Sequence, residues 1–258
     1  MSALTRTTLL GLTLWLGIGL SHVSGQNAPA PPPAFASGFQ AVIHVGGQVP
    51  AGALADRFGP SNTVGLGAYR LTESGWRWGV QYRFQTGAEV REEGLLDNLR
   101  NSSGYIIDNE GSIALVTAQQ RGTMLAVSAG RIVPAAFLPK GSGFLIEVQA
   151  GFWEHKVHFQ NRGNRVTQLE DPYLKGYDRL TGGLVAMPRL GYVHDAPNGL
   201  VRFQCGLEGW FGRMQPNRVW NADTMTADTG PRADQAVGIF AAWILRLRAR
   251  STDIDYYH

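Results

Sequence analysis

"QAVGIFAAWILRLRAR", residues 235–250, is apolar almost to its end, where arginines interrupt it. A helix that crosses a bilayer needs roughly 20 apolar residues, so this run is too short and too charged at one end to be one. Read at period two, it separates. Val237, Ile239, Ala241, Trp243, Leu245 and Leu247 fall on one face, and Ala236, Gly238, Phe240, Ala242, Ile244, Arg246 and Arg248 on the other. A strand places alternate side chains on opposite faces. The stretch therefore reads as a strand between an apolar medium and an interior that is first small, then charged.

The same split recurs. In "GWRWGVQYRFQ" (75–85), Trp76, Trp78, Val80, Tyr82 and Phe84 oppose Arg77, Gln81, Arg83 and Gln85. In "GFLIEVQAGFWEH" (143–155), Phe144, Ile146, Val148, Ala150 and Phe152 oppose Glu147 and Gln149. In "LVRFQCGLEGWFG" (200–212), Val201, Phe203, Cys205, Leu207 and Phe211 oppose Arg202, Gln204 and Glu208. Near the start, Phe39, Ala41, Ile43, Val45 and Val49 oppose Gln40, His44 and Gln48. Segments 62–72, 122–133 and 179–193 fit less cleanly, and Pro188 in the last is expected to mark a bulge. These make eight predicted strands. Their connections alternate, with short turns at "TESG", "PAAFLPKG" and "DAPNG" and longer crossings between.

Alternating short and long connections are the pattern of a transmembrane barrel, with short periplasmic turns and long outer loops. Lipid leaves no partner for a strand edge, so the sheet must close. A soluble lipocalin-type barrel has an apolar interior and a polar exterior, the reverse of this arrangement. The predicted fold is all-β, an eight-stranded antiparallel up-and-down transmembrane β-barrel over residues 38–250. Its lumen is predicted to hold Gln40, His44, Arg77, Gln81, Arg83, Glu147, Gln149, Arg202, Gln204, Glu208, Arg246 and Arg248. Trp76, Trp78, Phe84, Phe152 and Phe211 near the strand ends suit interfacial girdles.

The N-terminus reads as an export signal over residues 1–25. Arg6 precedes the apolar run from Leu9 to Leu20, and Val23-Ser24-Gly25 supplies small residues for cleavage. Cleavage there leaves Gln26 first, not a cysteine, which argues against a lipoprotein anchor. Residues 26–37 form a proline-rich linker. The single cysteine, Cys205, excludes an intramolecular disulfide framework. The net charge of +3 is modest and no basic run points to nucleic acid. The localisation expected is the outer membrane, as a monomeric barrel in outer-membrane lipid.

Candidate chemistry is sparse, and no cofactor or metal is expected. The lumenal arginines are expected to pair with Glu147 and Glu208 as a hydrogen-bonded plug. The alternative is a narrow anion pore lined by Arg77, Arg83, Arg202 and Arg246. An arginine at lipid-facing Ile146 or Val148 is expected to destabilise more than one at Gln149. A lipid-modifying enzyme would need an acid–base pair at the outer rim. His155 and His158 have no serine beside them and read as solvated rim residues. Their spacing is that of a metal pair, but no third ligand is evident. Glu89, Glu92 and Glu93 read as solvated surface, and "DNEG" (108–111) as a turn. "GYIIDNEGSIALV" suggests that strands 3 and 4 continue outward as a hairpin. Both chain ends fall on the periplasmic side. The tail 251–258, "STDIDYYH", is then either a frayed terminus or a docking peptide bearing Asp255, Tyr256 and Tyr257.

Five stretches carry a resemblance: "LLDNLRNSSGYIIDNEGS" (95–112), "GFLIEVQAGFWEHKV" (143–157), "LKGYDRLTGGL" (174–184), "WILRLRAR" (243–250) and "DYYH". Together the chain resembles the small outer-membrane β-barrels of Bacteroidetes-type bacteria, which include the PorG-like component of the type 9 secretion apparatus. The resemblance implies a non-enzymatic barrel that links the outer membrane to a periplasmic protein complex, and it assigns no catalytic residue.

Overall fold

Strands with period-two patterning have two distinct faces, and closing the sheet gives each face its own solvent. A computed structural model describes residues 35–164, 166–195, 201–218 and 220–247. The signal segment, most of the linker, Arg248 and the tail with Asp255, Tyr256 and Tyr257 lie outside the described residues. The described residues form eight strands: β1 (Gly38–Gly52), β2 (Ser61–Leu71), β3 (Trp76–Gly87), β4 (Val116–Val133), β5 (Gly143–Asn161), β6 (Thr181–Asp195), β7 (Arg202–Pro216) and β8 (Arg232–Leu247). Each pairs antiparallel with its neighbours, and β8 returns to β1 from Phe39↔Leu247 to Gly52↔Asp234. The sheet is a closed up-and-down barrel with no free lateral edge. No helix among the described residues is long and apolar enough to cross a membrane.

Three expectations need correction. Pro188 marks no bulge: Ala186↔Phe211 and Arg189↔Glu208 keep one register on either side of it. Proline removes a single ladder donor, and the flanking pairs hold the alignment. The extension beyond β3 is not a β3–β4 hairpin. Pairing of β4 with β3 stops at Gly87↔Gln120, whereas β4 continues along β5 to Val116↔Asn161. Residues 100–113 make only isolated bridges, Arg100↔Ile106 and Ile107↔Ile113. The length alternation also fails at the first crossing. Residues 53–60 are fewer than residues 134–142, and they hold a short helix, α1 (Ala53–Arg57), turned into the barrel mouth with Leu54 and Phe58 buried.

The outward positions form a band. On β5 they run Phe144, Ile146, Val148, Ala150 and Phe152; on β8, Val237, Ile239, Ala241, Trp243, Leu245 and Leu247. Charge returns at both rims: Arg121, Glu154, Lys156 and Arg213 at the end of the long loops, Arg70 and Arg131 at the other. Arg70 lies 4.8 Å over the ring of Phe39 and Arg131 5.5 Å over Trp76. Eight residue steps from Phe144 to Phe152 cover about 26 Å along the strand. A barrel tilt of 35–45° reduces that to a height of about 20 Å.

Inside, the lumen is layered. At the short-turn end Phe35 closes an apolar floor with Val42, Tyr69, Leu71, Ile132 and Leu145. A polar layer follows. Above it Met124, Trp153, Met187, Trp210 and Met214 form an apolar ceiling, which merges with Leu54, Phe58 and the apolar side of the long loops.

Candidate functional site

The polar layer is built by cross-strand neighbours. Glu147 on β5 stands opposite Arg189 on β6, and Arg189 stands opposite Glu208 on β7. Each is an inward position, so the three side chains meet without spanning the lumen. Arg189 Nη1 donates to Glu147 Oε1 at 3.0 Å, and its Nε lies 3.2 Å from Glu208 Oε2. From β3, Arg77 Nε reaches Glu147 Oε2 at 3.1 Å, and Arg83 Nη1 donates to both oxygens of Glu208 at 2.9 and 3.0 Å. All five side chains are buried.

Glutamines join the charges. Gln149 Oε1 accepts from Arg83 at 2.7 Å, while its Nε2 donates to Glu147 at 2.7 Å and to Gln81 at 2.9 Å. Gln204 accepts from Arg77 at 2.6 Å. Three guanidinium groups face two carboxylates here, and each guanidinium also meets an aromatic ring. Arg77 stacks on Tyr69 at 4.0 Å, Arg189 on Phe240 at 3.6 Å, and Arg83 sits 5.3 Å from Trp210. A desolvated cation over a ring face gains on the order of 2 kcal/mol. His44 is buried beside this layer, its ring stacked with Phe240 and its Nε2 3.3 Å from Thr63 Oγ1.

The structure thus places Gln40, His44, Arg77, Gln81, Arg83, Glu147, Gln149, Gln204 and Glu208 in the lumen, with Gln40 buried toward the floor. Arg202 and Arg246 do not join Glu147 or Glu208. They lie at the short-turn rim, where both bond Asp195: Arg202 Nε donates to Oδ1 at 2.6 Å and Arg246 Nη2 meets Oδ2. The physical reason is position along the strand, since both sit several residues beyond the buried glutamates. Sequence reasoning missed Arg189 and Asp195. Arg189 was hidden by Pro188, which blurred the alternation, and Asp195 by its place at the start of a turn signal.

The long-loop end is a lid held by charges. Arg57 of α1 donates to Glu92 at 2.9 Å, to Thr181 at 3.2 Å and to the carbonyl of Arg179 at 3.2 Å. Arg179 in turn donates to Asp223 at 2.7 Å, and Asp223 accepts the backbone N–H of Leu96 at 3.0 Å. One relay thereby joins all four outer connections. Glu92 is consequently part of the lid, not solvated surface. Burial holds the Asp223 carboxyl above its usual range, against the pull of Arg179. Arg218 is pushed up by its bonds to Asp178, at 2.9 and 2.7 Å. In "DNEG", Asp108 Oδ1 accepts the N–H groups of Glu110 and Ser112, which makes the turn.

His155 is not a solvated rim residue. It is 0% exposed, its Nε2 lies 2.8 Å from Asp234 Oδ2, and Phe58 caps its ring edge-on at 5.5 Å. Its position is odd in β5 and so faces inward, whereas His158 faces outward. The two rings therefore lie on opposite faces and do not share a ligand. Among the described residues there is no cluster of three or more groups able to hold a metal ion.

No family model matches the chain, and no curated protein matches it in sequence. Several solved structures are similar at low identity. Neisserial surface protein A is 10% identical, covering 82% of this chain and 98% of that one, with a TM-score of 0.48. The N-terminal β-barrel domain of Pseudomonas aeruginosa OprF is 8% identical over 81% and 100%, with a TM-score of 0.37. Ail, the attachment invasion locus protein of Yersinia pestis, is 10% identical over 81% and 100%, with a TM-score of 0.39. The barrel itself stands on the strand pairing of this chain.

Proposed function

We propose that the chain is an outer-membrane barrel that anchors a periplasmic protein complex, and that it neither conducts nor catalyses. The observation that carries this reading is the filled lumen. From Phe35 through the Arg–Glu layer to Phe58, buried side chains occupy its length. A barrel packed in this way offers its two ends as working surfaces. The uncharged outward band, bounded by charged rims, supports insertion in a bilayer, where charge on the lipid face is costly. A sheet that closes on itself leaves no edge for a second copy to cover, which supports a monomer.

β1 begins and β8 ends at the short-turn end, the face that the short turns assign to the periplasm, and the tail 251–258 is proposed to act on that side. Asp255, Tyr256 and Tyr257 are the proposed docking residues, since tyrosines supply rigid amphipathic anchors at interfaces. The finer reading, in line with the sequence resemblance, is a PorG-like role in type 9 secretion, with residues 1–25 as the export signal. The test compares full-length chain with a 251–258 deletion, purified from native membranes at matched levels of folded barrel. The deletion is expected to lose periplasmic partners. Equal partner recovery refutes the docking role. Single-channel steps from the purified protein in planar bilayers refute the filled-lumen reading.

A further inference from the structure

At the long-loop end, the β5–β6 and β7–β8 connections line an open cavity of about 550 Å³. Its aromatic lining is Tyr173, Tyr177 and Trp220. The walls are fixed. Tyr177 is buried and its hydroxyl accepts from Asn98 at 3.2 Å, and the same amide donates to the carbonyl of Ala222 at 2.9 Å. The N–H of Ala222 donates to the carbonyl of Gly176 at 2.9 Å, which clamps the two connections together. A Cβ at Gly176 would stand 2.9 Å from that of Ala222, so glycine permits the close approach.

What faces the cavity is less committed. Tyr173 is 62% exposed and Trp220 48% exposed, both far from the uncharged band of the barrel wall. Among the described residues, no group bonds the Trp220 indole N–H, the Tyr173 hydroxyl, the Lys175 ammonium or the side-chain amides of Gln168 and Asn217. Two cations line the cavity, and no carboxylate does. Arg218 is already held by both oxygens of Asp178, which leaves Lys175 to receive an anion.

We propose that this cavity binds a saccharide carrying a carboxylate. A pyranose ring has an apolar C–H face and an edge of hydroxyl groups. Exposed tryptophan and tyrosine faces match the first, and the amides of Gln168 and Asn217, which both donate and accept, match the second. Lys175 pairs with the carboxylate. Fixed walls keep the ordering cost of binding low. The site lies on the long-loop end and stands independently of the proposed periplasmic docking.

The experiment screens the full-length protein in detergent micelles by saturation-transfer NMR against pyranose disaccharides with and without a uronic acid. Cellobiuronic acid and cellobiose are one matched pair. At least one uronic-acid disaccharide is expected to bind more tightly than its neutral partner. Trp220→Ala or Tyr173→Ala is expected to weaken that binding by at least about tenfold. Lys175→Gln is expected to abolish the preference for the acid while leaving neutral binding intact. Variants count only if they keep the heat-modifiable gel mobility of the folded barrel. Absence of transfer across the whole panel overturns the proposal. So does binding that is unchanged by Trp220→Ala and Tyr173→Ala, or a preference that survives Lys175→Gln.

Discussion

The polar layer in mid-barrel and the relay in the lid are both made of arginines and carboxylates, yet they solve different problems. In the layer, Arg189 stands between Glu147 and Glu208 as a direct cross-strand neighbour of each. The strand pairing itself sets this geometry, so little further ordering is needed. The layer is buried, and a charge left there without its partner is costly. In the lid, Arg57, Glu92, Arg179 and Asp223 come from four separate connections. Their bonds must order loop backbone, and that ordering offsets part of what each bond contributes. Similar ion pairs should therefore matter most where the scaffold has already positioned them.

Glu208→Gln gives the sharpest test, because it leaves Arg83 and Arg189 short of a buried carboxylate. The expected loss is about 3–5 kcal/mol, read from the urea midpoint of unfolding in micelles. Adding Arg83→Gln to the same chain should recover part of that loss, since the second change removes the orphaned cation. A strictly additive double variant would show that the layer does not act as one network.

Next in size is the lipid-facing surface. Arginine at Ile146 or Val148 should cost about 2–4 kcal/mol near the middle of the band. Gln149 follows Val148 directly but points inward, where it already bonds Arg83, Gln81 and Glu147. Alternation alone treats an inward polar position as the tolerant one. The bonds of Gln149 favour the opposite expectation, because Gln149→Arg adds a fourth guanidinium to a layer already rich in them. It should unfold at no more urea than Ile146→Arg. A clearly milder effect would mean that the layer is looser and wetter than its bond lengths imply.

The smallest effects belong to the lid. Asp223→Ala removes the closest partner of Arg179 and the acceptor of the Leu96 N–H, at a cost of about 1–3 kcal/mol confined to the outer connections. Hydrogen exchange should rise around residues 88–115 and 217–231 while the strands stay protected. Glu89→Gln is the control. Among the described residues Glu89 pairs only with Arg91, and both are about half exposed, so exchange and midpoint should not move. If Asp223→Ala also unfolds the strands, lid and barrel are one cooperative unit and the contrast between the two regions fails.

Much of the candidate site was readable from alternation. Nine of the lumenal residues, including Arg77, Arg83, Glu147 and Glu208, occupy the face that period two assigns them. Arg202 and Arg246 share that face too, but alternation is blind to height, and they bond Asp195 at the rim instead. Arg189 was obscured because Pro188 sits where a strand should have a donor, although the ladder tolerates its loss. Loop residues gave weaker signals still. Nothing local distinguishes Glu92, which braces α1, from Glu89, which does not.

By itself the sequence determined the number of strands, the face of most side chains on β1, β3, β5, β7 and β8, and the polarity of the two media. Those follow from the two-residue period of an extended chain, which is a local property. The partners were decided by tertiary structure. Closure of β8 on β1 and the register between strands set which inward residues share a level, and so which arginine meets which glutamate. The folding of residues 53–60 into the barrel mouth, the burial of His155 against Asp234 and the aromatic cavity at Trp220 arise from segments far apart in the chain. No periodicity encodes such meetings, because they depend on where several loops are brought by a barrel that has already closed.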